Sequence, residues 1–324
     1  SVIILNYNGL SFAEQCVQSV LDSDYPNFDV VIVDNASTDG SYEVLRQSFG
    51  TNPMVRIVGN SRNLGFGEGN NVGYRRSKGD IVVFLNIDTR VERTWLSELV
   101  RALTSDDKVG GAQSKLTIFG IDHLGFIYRR GRGLPPFNAE QLEQPFYPHG
   151  ASMAFRRAVL EEVALEGQPF DRDYFLYFED NDLGWRVRLR GYSIVFVPMS
   201  VAHHYVGGSS SSTTQYVRTF SFAKNRLVTL IKNYGLGNLL RFLPLVVLLE
   251  MALIVLFLSE KPASSLAKLR ALLWCLTNLP GIWRKRVFVP CRIRTVPDSE
   301  VMRHMLIPNF SALRRTLAHQ AVTV

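Results

Sequence analysis

Asn86 and Asp88 stand one residue apart directly after the apolar run 81–85, within the stretch GDIVVFLNIDT. A carboxylate at the carboxyl end of a strand suits a hard divalent cation that bridges phosphates. Such ions take oxygen ligands and need only one or two carboxylates from the protein. The same pattern also fits a polar strand end followed by a turn. A second cluster, Glu179, Asp180 and Asp182, follows the apolar and aromatic run Phe175, Leu176, Tyr177 and Phe178. A carboxylate held behind such residues gains proton affinity, as a general base acting on a hydroxyl requires. Alternatively, Asp180 and Asp182 cap the helix that follows and balance its dipole. His203 and His204 close a further apolar stretch, where a histidine pair either meets solvent or serves a cation that the carboxylates already attract.

These groups need strands and helices to bring them together, and the pattern supplies them. Residues 2–5, 30–33, 54–58, 81–85 and 109–113 are short, β-branched apolar runs that read as buried strands. Helical stripes alternate with them. Ser11 and Glu14 suggest a capping box before Phe12, Cys16, Val17, Val20 and Leu21, while Trp95, Leu96, Leu99, Val100 and Leu103 recur on one face. The alternation predicts an α/β fold with a doubly wound, mostly parallel sheet, which binds ligands beyond the carboxyl ends of its strands. Asp34, Asn63 and Asp88 all fall at or after such ends, so one nucleotide would meet all three. Gly65, Gly67 and Gly69, at alternate positions, predict a loop bending close to a ligand. That loop is neither a P-loop nor a strict G-x-G-x-x-G. Residues 115–147, rich in Gly, Arg and Pro, read as a loop over the site. Residues 185–190 read as a helix with basic last turns and Gly191 after its end.

Composition narrows the class. With 324 residues and 46% hydrophobic content the chain can bury a large core, which excludes a disordered protein. Cys16, Cys275 and Cys291 are odd in number and far apart, so neither a disulfide framework nor a cysteine zinc site is indicated, and a reducing, cytosolic setting is expected. The opening lacks the n-region, h-region and cleavage site of a secretory signal, and Ser1 reads as a trimmed start. The net charge of +7 is uneven: residues 261–324 hold 11 Lys or Arg against 2 acids, leaving 25 basic and 27 acidic residues in 1–260. The basicity therefore concerns what the tail touches.

Together the segments VIILNYN, VIVDNASTDGS, NLGFGEGNN, GDIVVFLNIDT, HGASM, FLYFEDNDLGWRVRLRGY and VAHH, followed by GGSS, resemble a family 2 glycosyltransferase. They point to the bacterial and archaeal group called rhamnosyltransferase-like, and the resemblance covers roughly residues 1–232 in order and spacing. It implies the GT-A fold, a nucleotide-diphosphate sugar (UDP- or dTDP-linked), Mg²⁺ or Mn²⁺, and inversion at the anomeric carbon. Asn6, Tyr7, Asp34, Asn63, Gly65, Asn70 and Asn86 would then line the donor and nucleotide pocket, with Asp34 on the base. Asp88 would reach the metal with His203, or alternatively His204, and Asp180 of the Glu179–Asp180 pair would be the catalytic base. Asn86 departs from the commoner acidic residue at its position, which makes Asp88 the chief carboxylate. The acceptor would be a saccharide or lipid-linked saccharide in cell-envelope polysaccharide synthesis. Two rivals are a nucleotide-sugar-binding relative without turnover and a nucleotidyltransferase. The first would have lost Asp88, Asp180 or His203, and the second would want more cations than Arg62 around its triphosphate.

The expected organisation is a catalytic domain over 1–235 and a helical, basic, membrane-associating extension over 236–324. Residues 242–258 are apolar but contain Pro244 and Glu250, so they sit at the short edge of a spanning helix. Residues 261–294 carry 8 Lys or Arg and no acid, interleaved with Leu and Trp. That mixture suits an anionic membrane surface on the cytoplasmic face rather than nucleic acid. The alternative is a helical cap with a solvated basic face.

Overall fold

Runs of β-branched residues build the sheet. In the computed structural model, which describes residues 1–129, 143–205 and 214–308, every residue of β1 (Val2–Asn6) and β2 (Val30–Asp34) is buried. Strands covered on both faces carry apolar side chains throughout, as parallel strands in an α/β layer do. Helices α1 (Ala13–Leu21), α2 (Ser41–Phe49) and α3 (Gly65–Arg76) follow β1, β2 and β3 (Val55–Gly59) in turn. Then come β4 (Ile81–Asn86), β5 (Thr89–Val91), α4 (Trp95–Thr104) and β6 (Val109–Lys115). A hairpin of β7 (Phe119–Ile121) and β8 (Ile127–Arg129) precedes β9 (Ser152–Arg156), α5 (Arg157–Glu162), α6 (Glu179–Leu189) and β10 (Ser193–His204). The rest is helical: α7 (Gln215–Asn233), α8 (Leu236–Leu256), α9 (Pro262–Thr277), α10 (Leu279–Phe288), a π turn over Val289–Ile293, and α11 (Asp298–Met302).

The described residues fall into two compact units. The first comprises 1–116, 148–187 and 192–205; the second comprises 117–129, 143–147, 188–191 and 214–308. In the first, eight strands form one sheet in the order β3-β2-β1-β4-β9-β6-β10-β5. The strands β3, β2, β1 and β4 are mutually parallel, β9 runs antiparallel between β4 and β6, and β10 is parallel to β6. The register pairs Asn6 with Asp34 and Leu5 with Asn86, so three neighbouring strands end at one level. Beneath that edge Trp95 Nε1 donates to Ser114 Oγ and Ser152 Oγ at 2.9 and 3.0 Å, fixing α4 to the sheet through buried hydroxyls.

Several local expectations change. The capping box at Ser11 and Glu14 does not form: α1 starts after Phe12 with no side-chain cap, and Ala13 N donates to Gly9 O instead. The glycines expected in a loop lie inside α3. There an added Cβ at Gly69 would come within 2.6 Å of Leu5 Cδ1, and one at Gly73 within 2.4 Å of Ile3 Cγ2. Their spacing of four places both on one helical face, and their lack of a side chain lets α3 lie close against β1. Residues 115–147 are not one loop, since they hold the β7–β8 hairpin, and 130–142 lie outside the described residues. The histidines end a strand: residues 193–204 form one strand with a register break between Val197 and Val201. The basic residues near the end of α6 are interior. Arg186 pairs with Asp182 at 3.0 Å and caps the carbonyls of Val163 and Pro169, while Arg188 holds those of Phe146 and Pro145. Gly191 does adopt the left-handed conformation expected after the helix, with φ +92°.

Candidate active site

The ends of β1 and β2 carry the first group. Asn6 Nδ2 donates to Asp34 Oδ1 at 2.7 Å and to Ser41 Oγ at 2.9 Å, while Ser37 N donates to Asp34 Oδ2 at 3.0 Å. Asp34, 3% exposed, is thus an oriented carboxylate. Tyr7 is half-buried at the next position. Two residues in the adjoining turns, Asn8 and Ala36, have φ of +50° and +62°, so both loops leave the strands through left-handed backbone.

Asn35 ties these loops to α3. Its Nδ2 donates to Asn63 Oδ1 at 2.9 Å and Gly65 O at 3.1 Å, and its Oδ1 accepts from Asn60 Nδ2 and Leu64 N, each at 3.0 Å. Asn63 Oδ1 also accepts from Gly65 N at 2.8 Å. Gly65 must be glycine: its φ is +79°, and a Cβ would meet Phe175 O at 2.2 Å. Asn70 donates to Phe66 O at 3.0 Å, and its own buried Oδ1 has no protein partner among the described residues. Sequence reasoning did not single out Asn35, because an Asn after a strand reads as turn chemistry.

Asp88 follows β4 and is 2% exposed, with His204 Nε2 at 3.2 Å from its Oδ1. Successive residues on a strand point to opposite faces. His203 accordingly turns away, its Nε2 lying 2.8 Å from Glu92 Oε1 with both side chains about half exposed. The structure thus brings His204, and not His203, to Asp88. The His149 ring packs 5.7 Å from that of His204. Its Nδ1 accepts from Ala151 N at 3.0 Å, and its backbone N–H donates to Gln113 Oε1 at 3.0 Å. Among the described residues no three His, Cys, Asp or Glu side chains form a metal cluster. One buried carboxylate beside one imidazole nitrogen nevertheless fits Mg²⁺ or Mn²⁺, which takes its remaining oxygens from phosphates and water.

The acidic helix start completes the site. Asp180 Oδ2 accepts from Gly150 N at 3.0 Å, and Oδ1 accepts from Asn181 N and Nδ2 at 2.8 and 3.1 Å. Burial pushes the Asp180 carboxyl above the ordinary carboxylate value, while these amides pull the other way. Glu179 is buried beside it, and Asp182 belongs to the internal pair with Arg186. Just before the helix, Tyr177 and Phe178 have φ of +70° and +72°. Left-handed backbone at bulky residues costs about 1–3 kcal/mol each and concentrates where a site imposes its own geometry. A short backbone path joins the two acidic groups: Gly150 N meets Asp180, and Ala151 O accepts from Asn86 N at 3.1 Å.

The chain as a whole resembles known proteins. Residues 1–164 match the family model described as Glycosyl transferase family 2. The chain is 26% identical over 217 residues to glycosyltransferase AglE of Haloferax volcanii, a match covering 64% of this chain and 65% of that protein. It is 33% identical over 98 residues to TuaG of Bacillus subtilis, described as a putative teichuronic acid biosynthesis glycosyltransferase, covering 30% of this chain and 39% of that one. In both cases the match spans less than two thirds of the relative's length. Among solved structures, a mannosyltransferase of Pyrobaculum calidifontis in complex with GDP-Man and Mn²⁺ aligns with a TM-score of 0.54 at 20% identity, over 89% of this chain and 84% of that one. The shared architecture is the GT-A-type sheet that the sequence leads one to expect.

Proposed function

The chain belongs to glycosyl transferase family 2, and from that premise we propose that it transfers a sugar from a nucleotide diphosphate to an acceptor hydroxyl with inversion at the anomeric carbon. One observation carries the reading: Asp180 and the Asn86–Asp88 strand end are joined through Gly150 and Ala151. A base and a diphosphate site must be held at fixed separation on opposite sides of the reacting carbon, and a direct backbone link does this.

In this reading Asp34 and the loop around Asn63 and Gly65 hold the nucleoside, with Asn6 fixing the Asp34 carboxylate and Asn35 fixing the loop. Tyr7, Asn70 and Asn86 complete the donor pocket. Asp88 and His204 would hold Mg²⁺ or Mn²⁺, whose positive charge would offset the negative charge growing on the departing diphosphate. Asp180, its proton affinity raised by burial, accepts the acceptor's hydroxyl proton as the oxygen attacks in line, and no covalent enzyme intermediate is needed. Glu179 stands beside it at the start of α6.

The description of TuaG as a putative teichuronic acid biosynthesis glycosyltransferase supports a place in polysaccharide synthesis, and the sequence motifs support the rhamnosyltransferase-like group and a saccharide or lipid-linked saccharide of the cell envelope as acceptor. The donor is assigned as a UDP- or dTDP-sugar on the same motifs. The Pyrobaculum neighbour holds GDP-Man, so guanine donors belong in the test. That test measures enzyme-dependent diphosphate release across UDP-, dTDP- and GDP-sugars, with Mn²⁺, Mg²⁺ or excess chelator, and determines the product anomer by NMR. The expected result is release with one donor class, lost in chelator, and an inverted product. A retained anomeric configuration, or full activity in chelator, overturns the mechanism.

A further inference from the structure

The second unit carries charge inside and apolar surface outside. On α7, the residues Lys224, Asn225, Arg226, Lys232 and Asn233 are all buried. Lys224 Nζ lies 4.6 Å from the centre of the Trp274 ring, and Arg226, 3.9 Å above the Phe126 ring, pairs with Glu250 of α8. Lys268 Nζ of α9 reaches the other oxygen of Glu250 at 2.7 Å. Arg286 of α10 donates to Ile231 O and Tyr234 O at 2.6 and 2.7 Å.

The outward sides are the reverse. Helix α8 is long and apolar enough to cross a membrane by length and composition, yet only 28% of its most apolar stretch is buried. It buries the stripe Leu239, Phe242, Val246, Glu250 and Leu253 and exposes Leu240, Leu245, Leu248, Met251, Val255 and Leu256. Helix α9 exposes Leu266, Leu269, Leu273 and Leu276, and α10 exposes Leu279, Trp283 and Val287. The α9 and α10 sets recur at three- or four-residue spacing, and the α8 set falls on the side of its helix away from the buried stripe, so each is one face. Apolar surface on this scale marks an interaction site. Exposed arginines, Arg241, Arg270, Arg284 and Arg292, lie on the same segment.

We infer that α8, α9 and α10 form an in-plane dock for an anionic phospholipid surface. Their exposed apolar faces enter the headgroup–acyl boundary, and their arginines meet the headgroups. The occupant is lipid because interspersed exposed cations complement anionic headgroups, while the interior charges, already paired, stay within the protein. The dock does not span. Glu250 is tied to α7 and α9, and a crossing helix would carry that charge out of its partners into hydrocarbon. The leaflet is the cytoplasmic one, which faces the nucleotide-sugar pool. The dock stands apart from the transfer chemistry, and only the choice of leaflet rests on that reading.

Flotation of the full chain with vesicles of phosphatidylcholine, alone or with phosphatidylglycerol, tests it. Binding should tighten at least about tenfold with phosphatidylglycerol, since each basic side chain near an anionic surface contributes on the order of 1 kcal/mol. Salt should remove that increment. Alkaline carbonate should strip the bound protein, and lipids brominated near the glycerol should quench Trp283. The variant L240S/L248S/V255S, altered only at exposed positions, should lose flotation while keeping donor turnover. Three outcomes overturn the dock: no binding to any vesicle, flotation unchanged in the variant, or self-association without lipid that the variant abolishes. Resistance to carbonate overturns the in-plane orientation. Absent donor turnover with normal flotation would instead count against the transferase reading alone.

Discussion

Replacing Asn35 by Ala removes the amide that fastens the β2 turn to the start of α3. Four hydrogen bonds go with it, two donated to Asn63 Oδ1 and Gly65 O and two accepted from Asn60 Nδ2 and Leu64 N. Each is worth about 0.5–1.5 kcal/mol net. Asn60, Asn63 and Leu64 are half-buried and can rehydrate, whereas Gly65 is buried. About 0.5–0.75 kcal/mol each, the low end of the range, is therefore appropriate, and the total comes to about 2–3 kcal/mol. The loss should appear as local opening. Hydrogen exchange at the amides of Leu64 and Gly65 should accelerate roughly 30- to 150-fold, with far smaller changes at β1 and β4. Asn35→Asp keeps the two accepted bonds and loses the two donated ones, so it should fall about midway. The donor KM should rise in the same order, Ala above Asp, because the segment that opens is the one assigned to the nucleoside. Less than about threefold acceleration in Asn35→Ala would refute the additive reasoning. Equal losses in Ala and Asp would show that the accepted bonds contribute nothing.

Asp180→Asn should keep donor binding and lower turnover at least about 100-fold; near-normal turnover would move the base to Glu179. Because burial raises the Asp180 pKa in the folded chain, wild-type activity should fall with decreasing pH at a value above that of an ordinary carboxylate. Stability runs the opposite way: the contribution of Asp180 is present below its unfolded pKa and lost as pH rises through the folded one. The Asn variant should therefore melt higher than wild type at neutral pH, as a pH series of thermal melts would reveal. His204→Ala should weaken Mn²⁺-dependent nucleotide-diphosphate binding measured by calorimetry, and Asp88→Ala more so, while His203→Ala should leave it unchanged; the opposite ranking of the histidines would reverse the assignment made from their distances. Gly69→Val should destabilise the first unit by about 1–3 kcal/mol by overpacking against Leu5, and a neutral result in chemical denaturation would mean that α3 can shift.

Much of the sheet was legible because parallel strands buried on both faces must be apolar throughout, and the runs around Ile4, Ile32 and Phe84 leave no other use for themselves. The position of Asp88 followed from the same logic, since the strand that precedes it fixes its level. The glycines of α3 were not legible. A glycine cluster has the same composition whether it bends a loop or lets a helix approach a sheet, and only the distances to Leu5 and Ile3 tell the two apart. The facing of the histidines was equally hidden, because it depends on a register break upstream. Asn35 and the pairing of Glu250 with Arg226 and Lys268 join residues 18 to 30 positions apart, beyond the reach of local periodicity.

The break between Val197 and Val201 governs more than the course of β10. The strand pairs with β6 before the break, meets it once more at Val201 and pairs with β5 from Ala202 on, and the residues skipped there fix which of the two histidines shares a face with Asp88. Side-chain facing depends only on whether the count is odd or even. A one-residue insertion or deletion in 198–200 would therefore exchange the histidines, presenting His203 to Asp88 and His204 to Glu92. Changes of two residues would restore the original facing. Length variation at this bulge should accordingly be tolerated in pairs, and the adjacent duplicate histidine would let a single-residue change retain an imidazole at Asp88 where any other neighbour would lose it.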